Sequence, residues 1–242
     1  MIPDTIPPGF VQARLCLGTA LRRQFIPGQE SPDILRIANQ AIEAYEAVLK
    51  LDPKNTTALA NIAQLYYGQG QFDKAKPYEL RRIEVDPTNP EPYFLVGMLD
   101  EAICLPRRNQ MRKELGRDFP RDLKNPNVLP PLPEKARARL ASETGAAAEE
   151  GIQHLKKAIE LKPDDANAMA YLNLLYRQKA DLEASDDARR EDLRIADEWV
   201  NKALEKHRAQ NPQAAQEKNP PAVSATLTVE ETRGHWGQAL CP

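Results

Sequence analysis

The chain has 242 residues, 41% of them hydrophobic and 28% charged, with 33 basic against 35 acidic side chains; that balance suits an ordinary water-soluble chain folding as one sizeable domain or two small ones. A formal net charge of −2 excludes a global electrostatic attraction to nucleic acid or anionic membrane and leaves only local clusters to weigh. No run approaches the roughly 18–20 apolar residues of a membrane span. The first apolar segment, "FVQARLCLGTALRRQF", is broken by Arg14 and does not read as a signal-peptide core. A cytoplasmic setting is therefore the default expectation, and a periplasmic or secreted one would follow if a leader is missing. Cys16, Cys104 and Cys241 lie far apart without metal-ligand spacing, and are read as two buried helix thiols and one tail thiol.

In chain order, Leu17-Gly18 mark a first helix, "IPGQESPDI" a loop, and Ser31 with Pro32 the start of a second helix, since serine caps and proline suits the first helical position. That helix carries Ala41, Tyr45 and Val48 and ends at Asp52-Pro53. Next, Leu59, Ile62, Ala63, Leu65 and Tyr66 have helical spacing, "YGQGQ" is a turn, and Phe72, Ala75, Tyr78 and Ile83 give another helix before Asp86-Pro87. Pro87 lies 34 positions after Pro53. Proline at both marks ends a helix because it lacks an N–H and forces the preceding residue out of helical geometry. "PEPYFLVG" then opens a helix with Tyr93 and Val96-Gly97, and "EEGIQHLKKAIELKP" supplies its partner with Gly151, Leu155 and Ala158. "ANAMAYLNLLY" with Met169, Leu172 and Tyr176, and "RIADEWVNKALEKH" with Ala196, Trp199 and Ala203, complete a fourth pair, with Ser185 as the expected cap.

Helix pairs with this period, these small residues and a closing proline resemble the tetratricopeptide repeat (TPR). The resemblance implies an all-α, TPR-type α-solenoid of about four helix-turn-helix repeats, at about 10–53, 56–87, 90–163 and 166–208, with a long insertion in the third at 104–148. Glu79 and Arg82 depart from the pattern, where an aromatic and a small residue are expected, and Pro77 predicts a looser helix. Asn173 likewise replaces a small residue. The embellished repeats resemble those of bacterial TPR proteins.

Residues 104–139 contain ten basic and four acidic side chains. They are read as a helical piece ending near Gly116, an extended "NPNVLPPLP" and a helix from about Pro133. A solvated excursion, a basic contact for an acidic partner, or nucleic acid are the three readings; Phe119 alone interleaves the charges, which argues against nucleic acid. From 209 to 242 periodicity is lost, and a disordered tail is expected.

No catalytic, cofactor or metal constellation is expected: His154, His207 and His235 stand apart, and no phosphate-cradling, nucleophile-elbow or zincin motif occurs. Asp164-Asp165 and Asp186-Asp187 are read as helix-start acids. The TPR resemblance implies a non-catalytic scaffold binding a peptide or protein segment on its concave face. Its usual ligand-facing positions fall on Thr57, Ala60, Gln64 and Tyr67 in the second repeat, on Glu91, Phe94, Met98 and Glu101 in the third, and on Asn167, Ala170, Leu174 and Arg177 in the fourth. Ala60 and Gln64 do not match the carboxylate-clamp type. The alternatives are an enzyme or enzyme-accessory domain using the basic 104–139 insertion, and a homo-oligomeric structural protein.

Overall fold

A computed structural model describes residues 10–29, 31–118 and 129–210. The expected tail beyond Gln210, His235 and part of the insertion, including Phe119, lie outside these residues. All regular structure among the described residues is helical: α1 (Val11–Arg22), α2 (Pro32–Leu49), α3 (Thr56–Gly68), α4 (Phe72–Val85), α5 (Pro90–Glu114), α6 (Glu134–Leu161), α7 (Ala166–Ala180) and α8 (Asp186–Gln210). No described helix is long and apolar enough to cross a membrane. The helices divide into two compact units, one ending at Thr88 and one beginning at Asn89.

The recurring Asp-Pro cadence is a turn and a cap in one. Asp52 accepts the Lys54 backbone N–H at 3.3 Å and the Asn55 side-chain amide at 3.0 Å, and Asn55 in turn accepts the Ala58 N–H at 2.9 Å at the start of α3. Asp86 and Asn89 repeat this, accepting from Thr88 N–H and Glu91 N–H, each at 3.0 Å. Each Asn satisfies a backbone donor that the helix start leaves without an intrahelical acceptor. Ser31 and Ser185 cap α2 and α8 as their positions predict, accepting from Ile34 and Ala188. Asp165 caps α7, accepting from Ala168, while Asp186 and Asp187 occupy the first turn of α8, where negative charge complements the helix dipole.

In the first unit α1 packs on α2, α2 on α3 and α3 on α4. Its core joins Tyr45, Val48, Leu59, Ile62 and Leu65. A Cβ on Gly18 would fall 2.8 Å from the Tyr45 ring, so the aromatic of α2 lies directly on the backbone of α1. The added residues between α1 and α2 form a loop whose Gly28 N–H donates to Gly68 O at 3.1 Å, tying it to the end of α3. α4 runs unbroken through Pro77, contrary to the looser helix expected there. Pro77 is exposed, so its ring meets solvent, and the departures one turn further on are compensated: buried Glu79 and Arg82 form an ion pair at 2.7 Å.

In the second unit α5 packs on both α6 and α7, α6 on α7, and α7 on α8. The insertion is largely helical, because α5 continues to Glu114 and α6 begins at Glu134. Gly97 lets α5 and α6 approach closely: a Cβ there would sit 2.3 Å from Leu155 Cγ. Gly97→Ala is expected to destabilise the protein by about 1–3 kcal/mol through overpacking. Adding Leu155→Ala should recover part of that loss relative to the sum of the two single changes. A urea double-mutant cycle measures the coupling, and strict additivity would contradict the contact.

Candidate functional site

Thr57, Ala60, Gln64 and Tyr67 recur at helical spacing along one side of α3 and are all half-buried. Arg22, the last residue of α1, crosses to this side and donates from Nη1 to Gln64 Oε1 at 2.5 Å. Its Nε is also shielded from solvent and meets no hydrogen-bond acceptor among the described residues. Tyr67 lies against Phe72, ring centroids 5.5 Å apart, which fixes its ring at the end of the row. The side of the first unit formed by α1 and α3 thus combines small and aromatic surface with one oriented cation.

The third-repeat positions lie differently. Glu91 is half-buried, but Phe94, Met98 and Glu101 are buried, Met98 with only 1% of its surface exposed. Phe94 meets the Tyr171 ring of α7 edge-on at 5.6 Å. Glu101 accepts from Gln178 Nε2 at 3.0 Å. Burial raises the Glu101 carboxyl to about 7, with the Gln178 hydrogen bond and Arg108 opposing the shift. These three side chains serve the contact between α5 and α7 and are covered in this structure. The TPR resemblance implies a ligand-facing place for them on α5, but it carries no information on the large ring at Tyr171.

In the fourth repeat Asn167, Leu174 and Arg177 are half-buried and Ala170 is buried. Arg177 donates from Nε to Asn173 Oδ1 at 2.9 Å and from Nη2 to Asp197 on α8. Asn173, the residue that stands where a small one was expected, therefore orients this arginine.

The basic insertion spends much of its charge within the second unit. Asp181, just past α7, accepts Arg108 Nε at 2.6 Å and Arg112 Nε at 2.7 Å, and also pairs with Arg112 Nη2. Arg112, 1% exposed, further donates to the carbonyls of Arg117 and Pro130 at 2.8 and 3.1 Å. Arg117 donates to Pro131 O at 2.6 Å, and Arg189 of α8 to Leu129 O. Met111, Leu132 and Leu140 close a small apolar cluster beside them. These arginines hold the insertion to α7 and α8. Of the insertion's described cations, Arg107, Lys113, Lys135 and Arg139 are exposed.

The helix pairs, their Asp-Pro-x-Asn turns and the small-residue contacts define a TPR-type helical repeat protein. Residues 38–94 match the family model described as Tetratricopeptide repeat. Repeats of this family serve protein–protein contacts. Among solved structures, one titled "Crystal structure of MamA protein" is 20% identical, with 83% of this chain and 94% of that chain covered and a TM-score of 0.32. A second, "Crystal structure of MamA", is also 20% identical, with 74% and 93% covered and a TM-score of 0.26. At those scores the fold assignment rests on the helix pairs and the family match. No curated protein matches the chain.

Proposed function

We propose that this protein is a non-catalytic scaffold that binds a protein segment on its first unit, along α3 at Thr57, Ala60, Gln64 and Tyr67 with Arg22 beside them. The supporting observation is the contrast between repeats. The α3 row stays half-buried with the Arg22 guanidinium bonded to Gln64 beside it, whereas Phe94, Met98 and Glu101 are taken up by packing. A guanidinium on this side favours a carboxylate or backbone carbonyl on the bound segment, because charge-assisted hydrogen bonds are the strongest such a surface offers. Asn167, Leu174 and Arg177 are likewise half-buried, within the second unit.

A photo-crosslinking residue at Ala60 is expected to capture a partner from native extract that the same residue at exposed Gln153 does not. Ala60→Arg should abolish the interaction while leaving the helical circular dichroism spectrum unchanged. Equal capture from both positions, or a partner that still binds the Ala60→Arg protein, would count against this face.

A further inference from the structure

Where α5 and α6 pack together inside the second unit, they bring three potential metal ligands to one place. Asp100 of α5 is fully buried, and Glu150 and His154 of α6 are half-buried. One ligand atom from each lies within 4.8 Å of the other two. We propose that Asp100, Glu150 and His154 form a binding site for a divalent transition-metal ion of the zinc class.

Four features support the assignment. Glu150 and His154 are four residues apart on one helix, the spacing that turns two side chains toward a common neighbour. His154 Nδ1 donates to the Glu150 backbone carbonyl at 2.9 Å, since a carbonyl can only accept; this bond fixes the tautomer and leaves the lone pair on Nε2. Metal-binding histidines are commonly held in just this way, by a backbone carbonyl on the other ring nitrogen. The third feature is Gly151, between the two α6 ligands. A Cβ there would lie 2.8 Å from Asp100 Cβ and 3.3 Å from its Oδ2, so only glycine leaves room for the Asp100 carboxylate against α6. Finally, the half-buried Tyr93 ring of α5 lies 5.9 Å from the imidazole and limits its movement.

The donor set selects the ion. Two carboxylates and a neutral imidazole offset a divalent charge, and the mixed nitrogen and oxygen ligands favour zinc, iron(II) or manganese over calcium, which takes oxygen alone. Around an ion with bonds of about 2.1 Å, tetrahedral ligand atoms stand about 3.4 Å apart, within reach of small rotamer adjustments here. Three protein ligands leave at least one position for water or a group from a bound partner.

The full chain, stripped with chelator and titrated with Zn²⁺ by calorimetry at neutral pH, is expected to bind one ion per chain at a site that Ca²⁺ does not fill. His154→Gln should weaken that binding by more than the roughly 10–100-fold seen for loss of an outer-shell partner, while exposed His207→Gln leaves it unchanged. Co²⁺ should give the visible absorption of a low-coordinate site in the wild type and lose it in His154→Gln. Asp100→Asn, should it fold, is expected to behave as His154→Gln does; His154→Gln alone suffices, since its half-exposed position tolerates glutamine. Failure of Zn²⁺ to bind, or binding that survives His154→Gln, would overturn the site and would mean that the three side chains serve only as a hydrogen-bonded contact between α5 and α6. Neither result bears on the partner captured from Ala60.

Discussion

Asp181→Ala is expected to remove about 3–5 kcal/mol of stability, because it strands two arginines whose charge is otherwise compensated in a buried site. Arg112 is 1% exposed and Asp181 4%, so solvent cannot replace the lost carboxylate. The loss should appear as a lower urea midpoint by circular dichroism. The insertion should loosen first, since Arg112 also donates to the Arg117 and Pro130 carbonyls that hold it. Amide hydrogen exchange in residues 105–118 and 129–140 should rise before that of α7. Replacing the whole group at once is a different experiment. Arg108→Met, Arg112→Met and Asp181→Leu together remove charge and counter-charge, and apolar replacements of buried ion pairs are often neutral or stabilising. A triple variant at least as stable as Asp181→Ala would show that the damage comes from the stranded charge. If Asp181→Ala costs less than about 1 kcal/mol, the pair is solvated in solution and does not anchor the insertion.

Glu101 should make the protein's stability fall as pH rises from about 4.5 to about 7. Its carboxyl has an ordinary value of 4.5 and is raised to about 7 in the folded chain, burial being the main cause. Between those values the folded protein keeps a proton that the unfolded chain has released, so each step up in pH favours unfolding. Below about 4.5 both states are protonated and no penalty exists. Above about 7 both are ionised and the full cost applies, about 3 kcal/mol for a shift of that size. Glu101→Gln keeps the shape and a hydrogen bond to Gln178 without a charge to desolvate. It should therefore match the wild type near pH 4 and exceed it by about that amount at pH 8. Urea denaturation of both proteins across the range tests this, and a pH-independent difference between them would show that Glu101 does not titrate in the window. Charging Phe94 or Met98, which the repeat pattern offers as contact residues, is unsuitable for testing binding: both are buried beside Glu101, and unfolding would mimic loss of a partner.

Local rules made much of this protein readable before any coordinates. Asp52 with Asn55 and Asp86 with Asn89 act within four residues of chain, so their turn-and-cap chemistry recurs wherever the letters recur. Ser31, Ser185 and Asp165 cap helices for the same reason. Gly18 and Gly97 are legible as close contacts because a repeat must pack its paired helices at similar places each time, although only the coordinates show that Tyr45 and Leu155 fill the space. The helix bounds around the insertion, near Gly116 and Pro133, follow from the same punctuation.

Tertiary structure alone decided which polar residues would be buried and with whom. Arg112 and Asp181 meet across 69 residues, Glu101 and Gln178 across 77, and no short-range pattern marks either pair. The insertion's basic residues read as a solvated excursion, a contact for an acidic partner or a nucleic-acid site, and only the tertiary structure shows Arg108 and Arg112 paired with Asp181 inside the second unit. The TPR resemblance implies a ligand-facing place for Phe94, which is buried against Tyr171, because a family pattern gives a position but not the size of the side chain that arrives opposite. His154 seemed to stand alone on its helix, since Asp100, 54 positions earlier, comes beside it only once α5 packs on α6 across Gly151.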